Sequence, residues 1–158
     1  MSEAAFASSS SAVLTGEDEQ SYFTVFVGGE IFGLPVENTH TIFRVASVTP
    51  VPLSTTDIAG LVNLRGKIVT AVSLRRRLLM PTDNTLKNAL AIGIEHKGEN
   101  FALIVDEVGD VLSLGKSTQI PVPSHFSPHR ARLTKGLYRA GKLLLPVLDI
   151  EVLFGFES

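Results

Sequence analysis

Cysteine is absent from this chain of 158 residues, and that one absence removes disulfides, thiolate metal sites and cysteine nucleophiles together. A reducing compartment is compatible with it. Long hydrophobic runs are missing too: none approaches the ~20 apolar residues needed to cross a bilayer, so no direct membrane insertion is expected. Charge of one sign is nearly missing, since 14 Lys and Arg against 16 Asp and Glu leave a net charge of −2. A nucleic-acid binder must neutralise several phosphates at once, and this balance argues against that class. The N-terminus has no basic region ahead of its apolar residues and carries Glu3, then Glu17, Asp18 and Glu19, the wrong charge order for a secretory signal. The expected location is the cytoplasm.

Signs of chemistry are also scarce. There is no glycine-rich phosphate loop, no nucleophile-elbow pattern and no histidine pair at helical spacing on a helix. His125 and His129 are four apart, but Pro123 precedes them and Pro128 lies between, so a surface loop is expected there rather than a helix bearing a zinc site. Asp106-Glu107 and Asp149 with Glu151 could be drawn as acid/base pairs. Each follows an apolar strand directly, where carboxylates start turns or cap short helices. Arg75-Arg76-Arg77 lies between Leu74 and Leu78-Leu79 and reads as the solvated face of a short helix, with a partner contact as the second reading. No enzyme, cofactor or metal is expected.

What is present is apolar surface. Hydrophobic residues make up 44% and charged residues 19%, ample for a core without covalent staples. Residues 1–19 are Ser- and Ala-rich and read as a disordered leader, leaving 20–158 as the domain. Order is expected from about Ser21. Two β-branched and aromatic runs, one holding Tyr22, Val25 and Phe26 and the other Ile31 to Val36, are joined by Gly28-Gly29, which predicts a tight hairpin. Phe32 and Leu34 share one face, and Pro35 predicts an edge strand because it cannot donate to a ladder.

The chain also repeats itself. Gly29 to Glu37 aligns with Gly98 to Asp106, with five of nine positions identical. Gly60-Leu61-Val62 and Gly66-Lys67-Ile68-Val69 align with Gly136-Leu137-Tyr138 and Gly141-Lys142-Leu143-Leu144, the spacing between the two parts differing by one residue. Two matches in the same order predict a duplication into two similar β lobes that face each other. Further strands are expected at 89–95, 101–105, 108–114 and 137–148, the last broken at Ala140-Gly141-Lys142, with 96–100 as a short loop. Leu74 to Leu79 and Asp149 to Phe154 each suit a turn or two of helix, Asp149 as N-cap. Short, evenly spaced strands argue for small barrels or a sandwich, and the lack of long crossover helices argues against a parallel α/β sheet. The fold class is all-β.

Asn63-Leu64-Arg65-Gly66 stands out between the apolar runs 58–62 and 68–72. As a hairpin turn it needs Asn and Gly for positive φ and Leu64 packed inward. It does not need Arg65, whose planar, always charged fork suits a partner carboxylate or backbone carbonyls. Gly60 to Val69, with Leu74-Arg75 beyond, resembles the signature segment of CheW-type adaptor domains. So do Phe101 to Val108, Asp110-Val111-Leu112, Ile120 to Pro123 and the segment from Gly136 to Leu153. The resemblance covers about residues 21–155.

It implies two small SH3-like five-stranded β-barrel lobes around a shared hydrophobic core, with short helical turns. It also implies a non-catalytic scaffold that couples the cytoplasmic tips of chemoreceptors to the regulatory domain of a CheA-type histidine kinase, in membrane-bound receptor arrays. Asn63, Leu64, Arg65, Gly66 and Gly60 would then be the partner-binding residues. Two departures stand out: Thr70-Ala71-Val72-Ser73 replaces a Pro-Val-Val-Asp run, and Thr39-His40-Thr41-Ile42 replaces Val-x-Glu-Ile, a segment used for receptor contact. The same fold serving a pilus-motility or other chemosensory-like kinase therefore stays open. A β-barrel for a small ligand, or a minimal hydrolase, is the remote alternative, and exposed barrel edges leave weak self-association open.

Overall fold

The computed structural model describes residues 19–51, 58–81 and 88–155; the leader reading for 1–19 lies outside them except at Glu19, where the first strand already begins. Gly28 and Gly29 both take positive φ, 58° and 81°, and close a two-residue hairpin between β1 (Glu19–Val27) and β2 (Glu30–Pro35). A single turn of 3-10 helix, Val36–Asn38, leads into β3 (Thr39–Arg44). A second hairpin follows, β4 (Ile58–Leu64) with β5 (Lys67–Ser73), and then α1 (Leu74–Arg77). The pattern recurs: hairpin β6 (Leu90–His96) and β7 (Glu99–Val105), then β8 (Glu107–Gly115). After the two-residue β9 (Gln119–Ile120) come α2 (Pro128–Leu133), hairpin β10 (Thr134–Ala140) with β11 (Leu143–Leu148), and α3 (Ile150–Leu153).

The two sheets exchange strands. One runs β8-β1-β2-β11-β10-β9 and the other β3-β6-β7-β5-β4. Each lobe thus joins a hairpin of one type to the partner hairpin from the other half of the chain, by a parallel contact, β2 with β11 and β7 with β5. After β2 the chain sends β3 to pair with β6; after β7 it sends β8 back to pair with β1. The correspondence reaches small features. Both β4 and β10 carry a register shift at their second position, Ile58/Gly60 and Thr134/Gly136. The pairing of β9 with Leu137 has its counterpart in the single bridge of Thr49 with Leu61. The duplication read from the sequence is therefore a pair of SH3-like lobes that are not contiguous in the chain.

Two corrections concern proline. Pro35 ends β2, which lies between β1 and β11 and is not an edge strand; its missing donor costs nothing because the parallel contact with β11 is confined to Gly33 and Val147. Pro128 begins a helix rather than preventing one. It stands at the first helical position, where its absent N–H is one of the orphan donors anyway, and Ser127 Oγ caps the Arg130 N–H at 3.1 Å. The expected 96–100 loop also contracts to a two-residue turn at Lys97-Gly98, with φ 53° and 80°.

Strands that bury both faces read as continuous apolar runs, and β7 is the clearest case. Phe101, Leu103 and Val105 join Val25, Val27, Phe32, Leu34, Ile92 and Ile94 in a core shared by the two sheets. The alternate residues Ala102 and Ile104 fill the interior of the second lobe with Val62, Val69 and Ala71. The first lobe's interior is built from Tyr22, Leu114, Leu145 and Val147. Phe32, Leu34, Ile92 and Leu103 are wholly inaccessible to solvent, and each such side chain contributes roughly 1.5–3 kcal/mol of burial free energy. α1 and α3 close the ends of this shared core through Leu74, Ile150 and Leu153.

Candidate partner-docking site

The β4–β5 hairpin ends in Arg65-Gly66, with φ 53° and 86°. Positive φ at both central residues is the type I′ geometry, whose twist matches that of paired strands. Asn63 Oδ1 accepts the Gly66 N–H at 2.9 Å and fixes the turn, while Leu64 packs against the lobe interior. Arg65 is exposed, and its Nη2 donates to Thr41 Oγ1 on β3 at 3.2 Å. The arginine thus spans the seam between β4 and β3, the two outer strands of the five-stranded sheet. Ile68, paired across the hairpin with Asn63, is 63% exposed; its alternation along β5 points it outward, a signal the sequence already carried.

Gly60 is not at this tip. It is buried four residues back along β4 with φ 146°, and a Cβ there would lie 2.4 Å from the Thr49 carbonyl oxygen. Its role in the hairpin is the close approach of the 48–49 backbone. The matching turn of the other lobe is Gly141-Lys142, where only Gly141 has positive φ, the type II′ arrangement. Strand pairing sets Leu64 opposite Lys67 and Ala140 opposite Leu143, so the position equivalent to Arg65 is Gly141. The one-residue difference in spacing is a move of the glycine from the second turn position to the first.

The basic run is not a solvated face. Arg75 donates from Nε to Asp106 Oδ1 at 3.0 Å and from Nη2 to Oδ2 at 2.8 Å. Arg77 donates to the carbonyls of Val152 and Leu153 at the end of α3, and its own carbonyl meets His129 Nε2. Arg77 thereby ties α1 to the end of α3, and Arg75 ties α1 to Asp106 after β7. Asp149 Oδ1 accepts from the N–H groups of Glu151 and Val152 as an N-cap. Asp106 and Asp149 therefore serve structural ends, and among the described residues no cluster of three or more His, Asp or Glu is arranged to hold a metal. No helix among the described residues is long and apolar enough to cross a membrane.

An open groove of about 890 Å³ runs along the first lobe, lined in part by Tyr22, Tyr138, Glu37, Lys116, Lys135 and Asp149. The Tyr22 and Tyr138 rings lie 5.5 Å apart. Burial, and then the Tyr138 hydroxyl beside it, pushes the Tyr22 hydroxyl well above its ordinary value, so it stays neutral. Its O–H donates to Gln20 Oε1 at 3.0 Å.

The fold defines a two-lobed, SH3-like β protein. A sequence model of the CheW-like domain matches residues 21–157, and the chain belongs to that family. It is 29% identical over 146 residues to chemotaxis protein CheW of Klebsiella aerogenes, covering 92% of this chain and 88% of the relative. To chemotaxis protein CheW of Treponema pallidum it is 26% identical over 148 residues, covering 89% and 86%. Scaffolding protein TtCheW from Thermoanaerobacter tengcongensis superposes with a TM-score of 0.76 over 87% of this chain and 93% of that one, at 23% identity, a likeness of fold.

Proposed function

We propose that this protein is a non-catalytic adaptor that couples the cytoplasmic tips of chemoreceptors to the regulatory domain of a CheA-type histidine kinase, in arrays at the membrane. The observation that carries the reading is Arg65, held exposed on a rigid turn, in a chain of the CheW-like family. Asn63 and Gly66 fix the turn, Leu64 anchors it to the lobe and Arg65 makes the contact. Gly60 supports the hairpin from beneath. An adaptor needs rigid, separately placed surfaces, and two lobes packed on a shared core support that reading.

Co-precipitation of purified kinase and of a receptor signalling fragment tests this. The unaltered chain should retain both, and Arg65→Glu should lose most of one while its circular dichroism spectrum and melting temperature stay close to wild type. Normal retention of both partners by Arg65→Glu would remove the role given to that residue. Thr41, the residue Arg65 touches, favours a second reading in which the kinase and receptor belong to a pilus-motility or other chemosensory-like pathway. Running the same assay with partners from each pathway separates the two.

A further inference from the structure

The chain has no cysteine and two methionines, Met1 and Met80, so Met80 carries the one sulfur among the described residues. Leu79 before it and Pro81 after it are both exposed. One arginine holds its backbone on both sides. The Met80 N–H donates to the Arg75 carbonyl at 2.8 Å, and Arg75 Nη1 donates to the Pro81 carbonyl at 2.7 Å. The Met80 side chain is half-buried, packs against the shared core and reaches Gly28 in the β1–β2 turn. A Cβ on Gly28 would lie 2.8 Å from the Met80 sulfur and 3.5 Å from its terminal methyl. Gly28 is itself exposed, and its N–H donates to Asp106 Oδ2 at 2.9 Å. The sulfur therefore sits at the rim of the lobe junction, where the end of α1, the β1–β2 turn and the Arg75–Asp106 pair come together.

We propose that Met80 is an oxidation site, and that its sulfoxide loosens the junction between the two lobes. The step balances with hydrogen peroxide as the oxidant. A sulfur lone pair attacks one peroxide oxygen, and the S–O bond forms as the O–O bond breaks. The released hydroxide takes the proton left on the transferred oxygen and departs as water. Sulfur gives up two electrons and the peroxide takes them. A flexible apolar side chain becomes a polar one. The sulfur already fills the space that a side chain on residue 28 would take, so an added oxygen has no room on that side. That oxygen is an acceptor, and the N–H groups at the contact are in use, Gly28's on Asp106 and Met80's on the Arg75 carbonyl. It is satisfied either by taking the Gly28 N–H from Asp106 or by swinging out to water. The first weakens the clasp, and the second lifts Met80 off the turn.

The test exposes the full folded chain to hydrogen peroxide and locates the added oxygen by peptide mass. Wild type should gain one oxygen at Met80, and its melting temperature should fall by about 2–4 °C. Methionine sulfoxide reductase should restore it. Hydrogen exchange should speed up in the β1–β2 turn and α1 and change little in β10 and β11. Met80→Leu, close to methionine in volume, should melt near wild type and show no fall after peroxide, although Met1 still takes up oxygen. Asp106→Asn, which lacks the charged clasp, should lose about half as much as wild type or less on oxidation, because the two contacts act on one junction. Oxygen gained at Met80 with melting and exchange unchanged overturns this inference. So does a Met80→Leu chain that peroxide destabilises as much as wild type, or an Asp106→Asn chain that loses as much. A Met80 that is oxidised in the urea-unfolded chain and not in the folded one overturns it as well.

Discussion

Arg75 and Asp106 form a two-point clasp, Nε to Oδ1 at 3.0 Å and Nη2 to Oδ2 at 2.8 Å. Its value lies in what it joins. Arg75 lies in the first turn of α1 on the second lobe and also donates from Nη1 to the Pro81 carbonyl at 2.7 Å. Asp106 Oδ2 accepts the Gly28 N–H at 2.9 Å, in the β1–β2 turn of the first lobe. Met80, just before Pro81, lies over that same turn so closely that a Cβ on Gly28 would meet its sulfur at 2.8 Å. Asp106 is thus the point through which the helical end of one lobe grips the hairpin tip of the other.

The clasp makes stability depend on acid. The hydrogen bonds from Arg75, with a further contribution from the Gly28 N–H, hold the Asp106 carboxyl below its ordinary value of 3.8. Where pH falls below that value the unfolded chain takes up a proton that the folded chain refuses, so the stabilisation is complete above it and drains away below. Asp106→Asn should lower stability at neutral pH by about 1 kcal/mol, a modest figure because the pair is about one-third exposed. The difference in melting temperature between wild type and variant should shrink steadily as the buffer is taken below pH 3.8. A gap that stays constant into strong acid would show that the charge on Asp106 does not carry the effect.

Arg77 leads to a prediction of a different kind. Its guanidinium donates to the Val152 and Leu153 carbonyls, of which Val152's also accepts from the Gly155 N–H at 3.4 Å. Arg77→Met keeps much of the side-chain stem and removes the donors, taking the guanidinium from the Leu153 carbonyl and leaving Val152's to its backbone donor. The expected loss is about 1–3 kcal/mol. Hydrogen exchange should show it locally: protection should fall in α3 and β11 and change little in β4 and β5. Uniform loss of protection across both sheets would mean that Arg77 acts on global stability and not on the docking of the last helix.

These arginines mark where the sequence stopped being legible. Apolar and β-branched runs punctuated by glycine announced the hairpins, because each turn is a local problem solved by residues next to one another. The duplication was legible for the same reason. What it could not announce was the exchange of β3 and β8 between lobes, which depends on pairings between residues far apart in the chain. Arg75-Arg76-Arg77 read as solvated because nothing nearby in sequence is acidic, while Asp106 and the α3 carbonyls arrive only through the fold. Pro128 misled by position: the rule against proline in helices holds for the interior, and Ser127 before it was the overlooked sign of a start. At the docking tip, Asn63 to Gly66 was legible as a turn with a surplus arginine. That Thr41 would be its partner was not, although both had been marked as unusual separately.

Leu79 carries the last prediction. The Leu79 N–H bonds to the Arg76 carbonyl at 3.0 Å and the Met80 N–H to the Arg75 carbonyl at 2.8 Å, which is the paired Schellman pattern that closes a helix. In that motif the residue in Leu79's place takes the left-handed conformation and is usually glycine. Here it is leucine, with φ 60° and 72% exposure. The residue at the matching place after α3 is Gly155, which does not take positive φ, so only the first copy puts a large side chain in the left-handed region. The left-handed backbone costs roughly 1–2 kcal/mol for leucine, and glycine gives back about 0.5–1 kcal/mol of that in unfolded-chain entropy. So little of the side chain is buried that its removal forfeits little apolar contact. Leu79→Gly should therefore stabilise the protein by about 0.5–1 kcal/mol, read as a rise in the midpoint of denaturant unfolding with the slope unchanged. A lower midpoint would mean that the leucine packs on its own chain in solution.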